Sequence, residues 1–296
     1  MLLSLALVVL NACGKAPATA TLSPTTAPPT TEGGQVVAPP SVIAKNPSYS
    51  SAIAISDDDA LLVVANPLNG SVSIVNVAGD ANAKLAEVKT GEEPRTVAIT
   101  PDKRFAYVAN QGSGTVSVID LASLTKFADI PVGAEPYGIA LTPDGTRAYV
   151  ANSASNTVSI IETASNTAIA VISIPGVQPR GVAITNNNGG VGPQFVYVTQ
   201  FLSQPTASGG PGLDQGSEGK VFVISTADDT QIQGAITLSA HDTGFAADRT
   251  KFGGTGADPT FAYPNQLQSV VLKNGRGYLP NVAASPEGPI KFNVDT

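Results

Sequence analysis

One short strand motif that returns five times, a Gly-x-x-Pro turn closing successive units, and a polar–apolar alternation between them predict an all-β fold. The expected architecture is a β-propeller of four-stranded antiparallel blades. The motif stands as Leu62-Val63-Val64-Ala65-Asn66, Ala106-Tyr107-Val108-Ala109-Asn110 and Ala148-Tyr149-Val150-Ala151-Asn152. Looser copies follow as Val196-Tyr197-Val198-Thr199-Gln200 and Gly277-Tyr278-Leu279-Pro280-Asn281. The closing polar residues are spaced by 44, 42, 48 and 81 positions, so the basic unit is about one blade long.

Each copy sits in the same surroundings. A short apolar strand precedes it: Ala52–Ser56, Thr96–Thr100, Gly138–Thr142, Gly181–Thr185 and Gln268–Leu272. A turn separates the two strands, plainest in Pro143-Asp144-Gly145, where proline presets φ and glycine accepts a positive φ. A second turn such as Leu68-Asn69-Gly70 then leads into an alternating third strand: Ser71–Val75, Thr115–Ile119 and Thr157–Ile161. A fourth strand, for example Ala168–Ile174, ends in Gly91–Pro94, Gly133–Pro136 or Gly176–Pro179. Alternation lays one face of each unit against the next, so no blade is stable alone. The count is about four and a half blades, the last reaching a third strand at Ile290–Val294, as expected of a fragment of a seven-bladed ring. Val42-Ile43-Ala44 stands where an outer strand closing the ring would be expected.

Tyr-Val-Ala-Asn, with Pro-Asp-Gly before it and Thr-Val-Ser-Ile-Ile after it, resembles the YVTN β-propeller repeat family. The resemblance is strong over residues 50–185 and weak over 186–296. It implies the propeller fold and surface-layer or periplasmic relatives, with a fold like that of propeller lactonases and of redox subunits such as the methylamine dehydrogenase heavy chain. It specifies no chemistry. The expectation from the sequence is therefore a non-enzymatic binding or scaffold module. The alternative is a lactonase-like hydrolase or redox-enzyme propeller subunit with catalytic residues outside this chain.

The chain opens with an apolar run over residues 1–12 that is too short to span a bilayer as a helix and has the size of a signal-peptide core. Leu10-Asn11-Ala12-Cys13 resembles the lipobox of bacterial lipoproteins. That resemblance implies cleavage before Cys13 and attachment of a lipid to its thiol. No Lys or Arg precedes the run, so the natural start is expected further upstream. Residues 13–40 then read as a lipidated cysteine and a Pro/Thr/Ala-rich tether, which prefers extended, solvated conformations. Residues 41–296 form the propeller domain. The expected setting is the cell envelope, secreted and anchored to the membrane as a periplasmic or cell-surface lipoprotein.

Composition narrows the chemistry. With 16 basic and 23 acidic residues and no cationic run, the chain makes a poor nucleic-acid partner. One cysteine and one histidine, His241, leave too few ligands for an intrachain disulfide, a multi-cysteine zinc site or a His-rich metal cluster. No cofactor, metal site or catalytic residue is expected. Asp57-Asp58-Asp59 reads as an acidic turn, and Asn66, Asn110 and Asn152 as residues that bond turn backbone. In an up-and-down blade the second-to-third connection and the exit to the next blade open on one face. Blade four carries long insertions at both places, Phe201–Gly219 and Ser239–Pro264. Arg95, Tyr137 and Arg180 each follow a Gly-x-x-Pro turn and enter the innermost strands from that face. They are expected to ring the channel mouth, where a protein or small anionic ligand would bind. Glu93 and Glu135 stand beside them as competing partners for the two guanidiniums.

Overall fold

A computed structural model describes residues 5–11, 44, 48–176, 178–187, 193–207, 209, 213–248 and 257–284. Three blades are plain four-stranded antiparallel meanders. Blade one runs through Ile53–Ile55, Leu61–Asn66, Ser71–Asn76 and Ala83–Lys89. Blade two uses Pro94–Ile99, Phe105–Asn110, Thr115–Asp120 and Thr125–Pro131. Blade three uses Pro136–Leu141, Arg147–Asn152, Thr157–Glu162 and Thr167–Ser173. Blade four keeps this order through Pro179–Ile184, Phe195–Gln200, Ser217–Ser225 and Asp228–Leu238. In the fifth sheet Val271–Lys273 pairs with Arg276–Ala284, whose other edge pairs antiparallel with Leu5–Asn11. The apolar opening segment thus stands where a third strand was expected from Ile290–Val294, which lies outside the described residues. Cys13 lies outside them too.

The core lies between blades. The second- and third-strand residues Tyr107, Val116 and Val118 of blade two meet Ile139, Leu141 and Val150 of blade three. Tyr149, Val158 and Ile160 of blade three meet Val182, Ile184 and Val198 of blade four in the same way. These side chains are excluded from water, and roughly 25 cal/mol for each Å² of apolar surface removed makes the interfaces the main source of stability.

A second layer of specificity repeats with them. The Tyr107 hydroxyl donates to Asn166 Oδ1 of the next blade at 2.7 Å, and the Tyr149 hydroxyl donates to Asp229, which also pairs with Arg147. At the first interface the polar pair is replaced by an apolar one. Val63 stands at the tyrosine position and Leu124 at the Asn166 position, both in one cluster.

The recurring asparagines do not bond turn backbone as expected. Asn110 Nδ2 donates to Thr115 Oγ1 and Ser117 Oγ, and Asn152 Nδ2 donates to Thr157 Oγ1 and Ser159 Oγ. Asn66 reaches Ser71 and Ser73 likewise. Hydroxyls on the neighbouring third strand are closer than the turn. The turn glycine instead lies flat over the amide: a Cβ at Gly133 would be 2.7 Å from Asn152 Cγ.

The segment ahead of blade one differs from expectation. Val42 and Ile43 lie outside the described residues, but Ala44 and Ser48–Ser51 lie against the innermost strands, not at a blade's outer edge. Ala44 N–H donates to Pro143 O at 2.6 Å, and Ser48–Tyr49 pair antiparallel with Ile184 and Ala183. Leu141 N–H donates to Ser48 Oγ, Val182 N–H to Ser50 Oγ and Val97 N–H to Ser51 O. Inner-strand N–H groups that face the axis need partners, and three blades find them on this one serine-rich segment. Blade one's own inner strand is accordingly short. Ile53 is 51% exposed and Ile55 53%, whereas the matching Val97, Ile139 and Val182 are buried.

Candidate functional site

Each Gly-x-x-Pro turn places its third residue, Glu93, Glu135 or Gln178, in the left-handed region with φ of 50°, 51° and 58°. The carbonyl of that residue accepts the N–H of the residue after the strand motif: Gln111, Ser153 and Phe201 respectively. These bonds tie the second-to-third connections to the exit turns, so both open on one face. The blade-four insertions join it. Phe261 N–H donates to Asp214 Oδ2 at 2.8 Å, and Ser203 N–H to Asn265 Oδ1 at 3.0 Å. The second insertion is a hairpin, His241–Asp248 with Ala257–Asn265, where a loop was expected. Its threonines and alternating small residues pair as strands despite their weak apolar pattern.

The residue after each turn proline leads the innermost strand on that face. Arg180 and Tyr137 come together: the guanidinium carbon lies 4.8 Å from the Tyr137 ring centroid. It lies 3.5 Å from the Phe201 centroid. Burial pushes the Arg180 pKa below its usual value, and the neighbouring Arg95 charge acts in the same direction. Arg180 Nε is enclosed and has no hydrogen-bond acceptor among the described residues. None of the ion pairs among those residues includes Arg180.

Arg95 behaves differently. Its Nη2 meets Glu93 Oε2 at 3.0 Å and its Nε donates to Gln111 Oε1, while Gln111 Nε2 reaches Glu135 Oε2 at 3.4 Å. The expected pairing with a turn carboxylate therefore occurs at Arg95 and not at Arg180. The close approach of the two strands rests on a glycine. A Cβ at Gly138, the residue after Tyr137, would collide with the Arg180 carbonyl oxygen.

Phe201 and Gln111 were not singled out from the sequence. The signal was present, since each follows the last residue of a strand motif, directly across from the leading residue of its blade. An aromatic at 201, where blades two and three have Gln111 and Ser153, marks blade four as different.

The other residues weighed from sequence do not converge on this cluster. His241 is exposed on the inserted hairpin. Asp58 pairs with Lys103 at the opposite turns, and that ammonium, with the Ser56 hydroxyl, holds its carboxyl down to about 2. Glu218 pairs with Lys220 at 3.0 Å. No group of three or more potential metal-ligating side chains gathers among the described residues.

Residues 19–126 match the family model described as "Lactonase, 7-bladed beta-propeller". The match covers less than half of the chain, taking in blade one and most of blade two. The propeller fold is shown. The match also corrects the expectation that the chain is not an enzyme, because the family it points to is one of hydrolases. A solved structure, a chain of Kuenenia stuttgartiensis hydrazine synthase, aligns over 71% of this chain and 69% of its own, with 23% identity and a TM-score of 0.44. No curated protein matches the chain.

Proposed function

We propose that this chain is the propeller of a lactonase-like hydrolase held at the bacterial envelope, with the blade-four face as its substrate side. The match of residues 19–126 to the lactonase propeller model carries the reading. The site chemistry is compatible with it. Opening a lactone ring requires a water to attack the ester carbonyl, a base to take its proton and a cation or donor to steady the oxyanion. The blade-four face has carboxylates on its turns and a half-buried guanidinium with an open N–H edge. The two insertions wall one side of that face, where long connections on a rigid scaffold usually carry binding. Envelope attachment rests on Leu10–Cys13, since no helix among the described residues is long and apolar enough to cross a membrane.

The test is a pH-stat assay of the full-length gene product on a panel of five- and six-membered lactones. Base uptake proportional to protein concentration is the expected result. No uptake with any lactone of the panel overturns the reading.

A further inference from the structure

Among the described residues, the Arg180 guanidinium is the one cation of the blade-four face that the protein assembles without giving it an anion. Both of its flat faces are covered, by Tyr137 at 4.8 Å and Phe201 at 3.5 Å. Only its N–H edge remains for polar contact. Phe201 is fixed by its backbone on both sides: its N–H donates to Gln178 O at 2.9 Å, and its carbonyl accepts Leu267 N–H at 3.0 Å. The sandwich is therefore preorganised, not a chance contact of a long surface side chain. Stacking orients the fork of donors in one plane, the geometry that meets a carboxylate with two parallel N–H···O bonds. An enclosed Nε without an acceptor is a donor left unsatisfied, and native structures rarely leave one so unless something else supplies the oxygen.

The surrounding charge selects among anions. Arg95 is neutralised by Glu93 at 3.0 Å, so it adds little net positive charge. Glu135 accepts from Gln111 in the same neighbourhood and acts on Arg180 electrostatically. A dianion would meet one uncompensated guanidinium and a nearby carboxylate. A monoanion meets the same guanidinium with half the repulsion. The ring edges of Tyr137 and Phe201 beside the N–H edge offer an apolar wall to a carbon body.

We propose that Arg180, held between Tyr137 and Phe201, is a binding site for an organic monocarboxylate. The proposal deepens the hydrolase reading by naming the ligand class of the same face. Calorimetric titration of the full-length protein in 0.15 M salt, where screening over about 8 Å suppresses diffuse surface attraction, tests it. The probes are benzoate, its neutral isostere benzamide, and inorganic phosphate. Saturable benzoate binding at one site, at least tenfold tighter than benzamide or phosphate, is expected. Arg180→Met, which keeps an unbranched apolar stem, should abolish it, and Arg180→Lys should weaken it at least tenfold because a point charge replaces the fork. Equal binding of benzoate and benzamide overturns the proposal, as does unchanged benzoate binding in either folded variant. If Arg180→Met fails to fold, the benzoate–benzamide comparison on the unaltered protein still decides. Benzoate binding without lactone turnover leaves the site standing and removes the hydrolase reading. Turnover without benzoate binding does the reverse.

Discussion

Removing one hydroxyl should weaken a whole blade interface. Tyr107 is fully buried, and its hydroxyl donates at 2.7 Å to Asn166 of the next blade. In Tyr107→Phe the ring stays and its packing is unchanged, so the loss is the hydrogen bond plus an acceptor left in a half-buried turn. A net hydrogen bond is worth about 1 kcal/mol, and an orphaned buried group costs about 1–3 kcal/mol. The expected destabilisation is about 1–2 kcal/mol. For a chain of this size that corresponds to a melting temperature lower by about 2–5 °C. The partner change is Asn166→Gly, because the turn holds φ at 52° there and glycine accepts it without strain. That variant orphans the tyrosine hydroxyl instead. With both changes neither group is left unpaired, so the double variant should lose less than the two single losses combined, by at least about 0.5 kcal/mol. Thermal and denaturant unfolding followed by circular dichroism measures all four corners of the cycle. A Tyr107→Phe change within about 0.3 kcal/mol of the parent, with additive singles, would refute the hydroxyl as an interface latch.

Alkaline pH should act on the same interfaces. Burial raises the Tyr107 pKa, and burial followed by the Asp229 carboxylate raises that of Tyr149. Both hydroxyls hold their proton more tightly when folded, so their contribution is complete below about pH 10 and is lost as pH climbs past that unfolded-state value; a pH series of melts should show the decline. Gly138→Ala forces the Arg180 strand away from the Tyr137 strand, and should lower the melting temperature and loosen the Arg180 stack, read as lost benzoate affinity. Ile53→Lys with Ile55→Lys, on residues already half exposed, should leave the melting transition in place and reduce aggregation in light scattering. A palmitate label should enter the protein in a bacterial host and vanish in Cys13→Ala; label retained in that variant removes the lipoprotein reading.

The blades were legible because their signals are local. Strand alternation, the turn glycines and the repeated Tyr-Val-Ala-Asn place the strands of blades one to three within a residue or two. Arg180 and Tyr137 were legible as neighbours because both lead innermost strands on one face, and the up-and-down order of a blade fixes that face. What escaped was set by contacts between distant segments. Ser48, Ser50 and Ser51 carry no apolar pattern, and their role emerges only when three inner strands offer them N–H groups. The hairpin at 241–265 is held by pairing with itself and by Asp214, not by a hydrophobic stripe. Phe201 looked like the first residue of a loop, and only the ring of blades brings it over Arg180.

The same distinction explains why the cluster was legible in the sequence while its electrostatics were not. Position along a strand is set by chain order, so Arg95, Tyr137 and Arg180 could all be assigned to one face from the sequence alone. Whether a guanidinium finds a carboxylate depends on what stands across the blade boundary. Gln111 faces Arg95 and, with Glu93, holds it in a polar, partly solvated pair whose net worth is small. Phe201 stands at the matching position of blade four and offers Arg180 a ring in place of an acceptor. Two arginines in equivalent positions thus divide into a brace and an open donor through one difference, glutamine against phenylalanine, in the residue after the strand motif. Exchanging them tests the division. Phe201→Gln should give Arg180 an internal acceptor and weaken benzoate binding at least tenfold, while a blade-two Gln111→Phe should release Arg95 from that bond without creating a second site, because Glu93 still holds it. Benzoate binding unchanged by Phe201→Gln would mean that the aromatic cover is not what leaves Arg180 open.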